Sequence, residues 1–286
     1  MVAEAGFIVK IPAYALVALL GLVPAMAGAA ELQEETLNAW DLYRRLTEQR
    51  IDGELAPQEG FLIRDFLPDG EASTVRRSIV MGNVFIRKME TRNEEGGKIE
   101  IPDGLIHHWY GSVFVPDAKL KEVLAWEQDY ANHKDYFEDV EDSRLISRRG
   151  DVFEIFLRLR RKKIITVYYN THHIVTYRQL GPGEATSRSE ATRIAEIEDA
   201  NTPREREKPA GDDRGFMWRL HSYWRFKQEP DGVVVECESI SLSRTIPVAF
   251  RWVVKPFITS VPQESLEATL GPLREALTRH GALISR

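Results

Sequence analysis

A single cysteine, Cys237, serves 286 residues. No internal disulfide can form, so stability has to come from a buried core, and a chain of this length can build a sizeable one. There is no excess of positive charge either. The formal net charge is −6, with 38 basic and 44 acidic residues, and nothing global points to nucleic acid. No internal repeat stands out. The longest apolar run, IPAYALVALLGLVPAM at 11–26, is short for a bilayer span and is interrupted by Pro12 and Pro24. Lys10 precedes it, and small residues with A-x-A spacing follow at Ala25–Ala27 and Ala27–Ala29. This is the layout of a secretory leader, so residues 1–30 are expected to direct export to a periplasm or outside the cell.

What is present is a succession of strand patterns with little helix between them. Residues 31–50 carry Leu37, Trp40, Leu42 and Leu46 among charges and read as helix. The run 83–91 reads as a strand. The NEEGGK turn at 93–98 and IEI at 99–101 suggest a returning partner. LIHHWYGSVFV at 105–115 is a strand, stopped by Pro116-Asp117. A helix then carries Leu120, Val123, Leu124 and Tyr130, ending near His133. Strand runs follow at 143–148, 151–161, 163–178, 184–197, 216–228 and 232–244, which predicts an antiparallel meander. A polar connection fills 198–215 and reads as a solvated loop. The C-terminal segment places Leu266, Leu270, Leu273 and Leu277 on one helical stripe. Ser260 and Gln263 have capping-box spacing, Pro272 predicts a kink, and Gly281 suits a C-cap.

The chemistry-bearing residues concentrate in VECESISLSR, 235–244. The EPDG turn at 229–232 pairs Gln228 with Val233, which sets Arg225 opposite Glu236 and Trp224 opposite Cys237. Trp224, Phe226, Val235, Cys237 and Ser239 then share one face, and Arg225, Lys227, Glu236 and Glu238 the other. Two carboxylates one strand repeat apart have the spacing of an acid–base pair, yet a solvated, salt-bridged outer face explains them as well. Cys237 reads as a small buried apolar residue rather than a nucleophile. The pairs His107-His108 and His172-His173 alternate between faces, one member inward and one toward solvent, so neither pair chelates a metal. No metal centre, cofactor site or catalytic residue is assigned. Leu157 and Leu159 alternate with the cations of RLRRKK, 158–163, which favours outward-facing charge over a membrane-docking patch. PVAFRWVVKPFI, 247–258, either packs on the core or makes transient contact with a membrane surface.

The order strand, helix, helix, strands, closing helix resembles the helix-grip fold of the START-like (SRPBCC) superfamily. VFVPDAKLKEVLAWEQDY at 113–130 is similar to that superfamily's first strand, proline and helix. RTIPVAFRWVVKPFITSVPQESLEATLGPLREAL at 244–277 is similar to its IP step and closing helix. GLIHHWYGSVFVP, SRSEATRIAEI, GFMWRLHSYWRF and VVVECESISLSRTIP resemble exported bacterial members. The likeness covers about residues 100–280. It implies an α+β domain over 101–286, a curved antiparallel sheet wrapped around a long C-terminal helix, with residues 31–100 as an N-terminal extension. It also implies a cavity between sheet and helix that holds a lipid or other apolar small molecule, without a cofactor. The expected cavity wall is His107, Trp109, Trp224, Phe226, Cys237, Ser239, Ser241 and Phe250. An exported binding or carrier protein is the leading reading. A cyclase- or hydrolase-type enzyme acting on an apolar substrate in the same cavity is the alternative.

Overall fold

The computed structural model describes residues 32–56, 60–162, 166–209, 211–245 and 251–284, with the side chains of 251–261 and 279–284 excluded. The expected leader and Phe250 therefore lie outside the described residues. Helix α1 spans Glu34–Glu54, a 3-10 turn Ile63–Phe66, and α2 Asp69–Val80. Strand β1 is Phe85–Lys88 and β2 Gly104–Pro116, followed by α3 (Leu120–Glu127) and α4 (His133–Tyr136). Strands β3 (Val140–Arg149), β4 (Val152–Lys162), β5 (Thr166–Gly181) and β6 (Glu184–Glu198) follow in turn. After the short β7 (Arg206–Glu207) come β8 (Arg219–Glu229), β9 (Gly232–Arg244) and helix α5 (Arg251–Ile284).

All nine strands form one antiparallel sheet in the order β1-β2-β9-β8-β6-β5-β4-β3, with β7 paired to β6. The hairpin register is the one the EPDG turn dictates: Gln228 faces Val233, Arg225 faces Glu236 and Trp224 faces Cys237. Helix α5 packs on β2, near one edge, through Leu266, Leu270, Leu273 and Leu277. Its Glu264 is also close enough to act on the charge of Arg161, on β4 near the far edge. A flat sheet cannot bring both edges to one helix, so the sheet wraps around α5.

The sheet has two faces of different character. On β5 the alternation is regular: Val167, Tyr169, Thr171, His173, Val175 and Tyr177 are buried, and the residues between them are half-buried or exposed. On β9 both faces are buried, the signature of a central strand with cover on each side. The inner face meets α3 and α5 in one apolar cluster that includes Val113, Val123, Phe226, Val235, Leu266 and Leu270. The outer face is covered by the N-terminal extension. Trp40, Tyr43 and Ile51 of α1 pack on Ile240 and Leu242, and Leu62, Ile63, Val75 and Ile79 pack on Tyr110 and Val234.

Several sequence expectations are corrected. IEI at 99–101 does not return on β1, which pairs instead with Trp109–Ser112 of β2. The Gly96-Gly97 turn closes only one bridge, Arg92 to Lys98. Helix α3 stops at Glu127 rather than near His133. Helix α5 begins by Arg251, so Ser260 lies within it and is no N-cap, and Gly281 lies inside it as well. The 198–215 connection is not simply a solvated loop. It contributes β7, and its Lys208 and Arg214 hold the buried Glu196.

At Gly111, α5 approaches the sheet closely. A Cβ there would stand 2.6 Å from Leu270 Cδ1 and 2.9 Å from Leu266. Gly111→Ala should therefore overpack this contact and lower stability by about 1–3 kcal/mol. Urea unfolding checks this, and an unchanged midpoint would mean that α5 is not seated as described.

Candidate functional site

Two groups of polar side chains are buried on opposite faces of β9, and they differ in how they are satisfied. On the outer face, Glu238 and Glu236 are completely buried. Their parity is the one expected, facing away from α5, but they are not solvated. The extension that covers them is remote in sequence and was not part of the strand pattern. His108 Nε2 stands 2.6 Å from Glu238 Oε1, and Arg50 of α1 pairs with the same oxygen. His108 is held in turn by Tyr43 Oη at 2.8 Å from Nδ1, so it meets the extension and not solvent. Burial alone would raise the Glu238 pKa, but His108 and Arg50 hold it down to about 2.

Glu236 takes the Ile63 backbone N–H at 2.5 Å and the Tyr110 hydroxyl at 2.6 Å. Burial outweighs these and pushes its pKa up to about 7. Arg225 faces Glu236 in register, yet its guanidinium donates to Phe61 O at 2.9 Å and pairs with Glu54 of α1. The two carboxylates are thus enclosed and engaged by the extension, not open to a substrate as acid–base catalysis requires.

The inner face has a different layout. The register sets Gly111, Cys237, Trp224, Ser187 and Tyr177 in one row across five strands. The next row is Trp109, Ser239, Ser222, Ser189 and Val175. On the α3 side of the first row the face is filled: Val113, Val115, Phe226, Val233 and Val235 are all buried against α3 and α5. On the other side Trp109, Ser222, Ser239, Ser189 and Ser241 are only half-buried. A half-buried floor of small hydroxyls, edged by two tryptophans, therefore adjoins the packed part.

The sequence-assigned wall residues divide along this boundary. Trp109, Trp224, Ser239 and Ser241 border the accessible part. Phe226 and Cys237 are fully buried in the packed part. His107 faces inward and is buried, with Nε2 2.9 Å from Ser243 Oγ; burial, aided by Lys88, lowers its pKa to about 4. Burial pushes the Cys237 thiol well above its ordinary range, which leaves it a small apolar residue and not a nucleophile.

One group in this interior was not singled out from sequence. Glu127, the last residue of α3, is 7% exposed, and its Oε1 has no hydrogen-bond partner. It is close enough to act electrostatically on Cys237, Tyr130 and Tyr177. Those tyrosines share a hydrogen bond of 2.6 Å between their hydroxyls. Burial, with no cation to offset it, pushes the Glu127 pKa up to about 8. From sequence Glu127 lay within a helix expected to run to about His133, and the only available signal was that it follows Trp126 on a helix whose apolar face turns inward. On the outer side an open groove of about 510 Å³ lies between α1 and strands β6 and β8, bordered by Trp40, Arg44, Arg193, Trp218, Arg219 and His221. Its lining is largely polar. No cluster of metal-ligating side chains occurs among the described residues.

The element order, the antiparallel sheet and its wrap around α5 match the arrangement expected from the sequence. The architecture is a helix grip, as the sequence resemblance implies. No protein-family model matches the chain, and no curated protein matches it. Among solved structures, a fragment of a STAR-related lipid transfer protein from Xanthomonas axonopodis is 19% identical, with a TM-score of 0.46 over 68% of this chain and 93% of that one. A START superfamily protein from Mycobacterium smegmatis is 10% identical, with a TM-score of 0.40 over 60% and 98%. The Zhui aromatase/cyclase from Streptomyces is 13% identical, with a TM-score of 0.39 over 61% and 95%. These are likenesses of architecture, and the functional argument rests on this chain's own residues.

The two buried carboxyls predict opposite pH effects. Glu238 has a lowered folded pKa, so it stabilises above about pH 4.5 and its contribution fades as pH falls toward about 2. Glu238→Gln should cost about 3 kcal/mol at pH 7, with the gap from wild type narrowing below about pH 4.5. Glu127 has a raised folded pKa, so its ionisation opposes folding increasingly from about pH 4.5 to about 8. Glu127→Gln should be nearly neutral at pH 4.5 and should stabilise by roughly 3–5 kcal/mol at pH 9. Denaturant unfolding of both variants across pH checks the two signs independently.

Proposed function

We propose that this chain is a binding or carrier protein for an apolar small molecule, held on the inner face of the sheet beside α5. One observation carries the reading. Beside the packed part of the inner face, Trp109, Ser222, Trp224, Ser239 and Ser241 are only half-buried and adjacent in register. Apolar sites are typically bordered by aromatic surface with a few placed polar groups, and this floor has that composition. Serines project little from the sheet, which keeps the floor low. Histidines 107 and 173, both buried, have pKa values lowered to about 4 chiefly by burial, so the inner face adds no positive charge from them near neutral pH.

The proposal extends to location. The leader-like run at 11–26, with small residues after it, supports export to a periplasm or beyond, where a carrier of poorly soluble molecules has an evident role. Among the described residues no helix is long and apolar enough to cross a membrane. Contact with a membrane surface through 247–258 would give such a ligand a route in and belongs to the same proposal.

N-phenyl-1-naphthylamine tests the reading, because its fluorescence rises in apolar surroundings. The full chain should enhance it saturably. Ser239→Trp, which fills the centre of the serine row, should weaken that binding by roughly tenfold or more while the thermal midpoint stays within a few degrees. No enhancement, or enhancement unaffected by Ser239→Trp, would overturn the assignment of this face.

A further inference from the structure

Four glutamates are buried among the described residues, and three of them are compensated. Glu238 has Arg50 and His108. Glu236 has the Ile63 N–H and Tyr110. Glu196 has Arg214 at 2.7 Å and Lys208 at 3.3 Å. Oε2 of Glu238 also lacks a donor, but its Oε1 is paired twice; Glu127 alone combines an enclosed oxygen without a donor with the absence of any ion pair. Burying such a group costs several kcal/mol unless something completes it. Its place makes the omission informative. Its electrostatic neighbours Cys237 and Tyr177 belong to the row that divides the packed part of the inner face from the accessible part.

We infer that Glu127 is the polar anchor of the proposed site, and that the ligand class is an apolar molecule carrying a basic amine. This deepens the binding reading and rests on it. An ammonium supplies what the three compensated glutamates already have, a charged donor at hydrogen-bond distance, in a setting where charge-assisted bonds are strongest. A hydroxyl would donate one bond without cancelling the charge. Beside the ionised carboxyl, above about pH 8, a carboxylate ligand would add a second negative charge and be rejected. The groups around Glu127 fit a cation as well. Tyr130 and Tyr177 are neutral hydroxyls whose ionisation is opposed by burial. Cys237 stays a thiol. His133 Nε2 is engaged with the Glu127 backbone carbonyl at 3.1 Å.

Displacement of N-phenyl-1-naphthylamine by n-dodecylamine, 1-dodecanol and dodecanoate at pH 9, where the Glu127 carboxyl is ionised and the amine still protonated, tests the inference. These probes share one chain length and differ only in the head group. The amine should displace at a concentration roughly tenfold below that of the alcohol, and dodecanoate should be the weakest. In Glu127→Gln, an isosteric change that keeps a hydrogen-bonding amide, the amine-to-alcohol ratio should fall to within about twofold of unity. The ratio is read, so a uniform change in affinity does not enter it. Equal displacement by amine and alcohol in the wild type, or a preference that survives in Glu127→Gln, would overturn the anchor while the apolar site stands. Failure of every probe to bind would remove the site and the anchor together.

Discussion

Carboxylates in the middle of a covered sheet must be answered by donors from whatever covers them. Glu236 and Glu238 lie on β9, and neither is exposed to bulk solvent. Their charges are met by a layer that begins almost 190 residues earlier in the chain: Arg50 from α1, the Ile63 amide from the turn, and His108 braced by Tyr43. The extension is therefore part of the sheet's structure and not an appendage to a finished domain. Buried ion pairs add little net stability compared with apolar packing, but breaking one is costly. They fix where α1 sits, and Trp40, Tyr43 and Ile51 supply the apolar contact around them.

With the outer face of β9 covered in this way, the proposed site falls on the opposite face. There α5 and α3 fill one part completely, and the sheet closes around them. What remains is the serine floor with its tryptophan edges, and beside it the one buried carboxyl that nothing compensates. The contrast between Glu238 and Glu127 is instructive. Both are enclosed glutamates, and burial acts on both in the same direction. The surroundings of Glu238 reverse that effect, and those of Glu127 leave it standing.

Much of this was legible in sequence, for identifiable reasons. The EPDG turn fixed a two-strand register, and period-two alternation then assigned every side chain of β8 and β9 to a face. The leucine stripe of α5 announced the contact that Gly111 accommodates. Alternation, however, reports parity and not cover. Glu236 and Glu238 were assigned to the correct face, but whether that face met water depended on α1, whose link to the strand is purely tertiary. The same gap explains His108, which was expected to meet solvent and meets Tyr43 and Glu238 instead. Glu127 escaped notice because a carboxyl at the end of an amphipathic helix ordinarily points outward. Only the turn of the chain between α3 and α4, together with the wrap of the sheet, brings it inside.

The central claim is that β9 divides the molecule into a closed ionic face and a face that receives an apolar ligand. Photolabelling the full chain with an apolar diazirine probe, followed by peptide mass spectrometry, tests this directly. Labels are predicted on Trp109, Ser222, Trp224 and Ser239, all of the inward parity, and none on Tyr223, Ile240 or Leu242. Labels concentrated on the outward set, or on 34–54, would contradict the account.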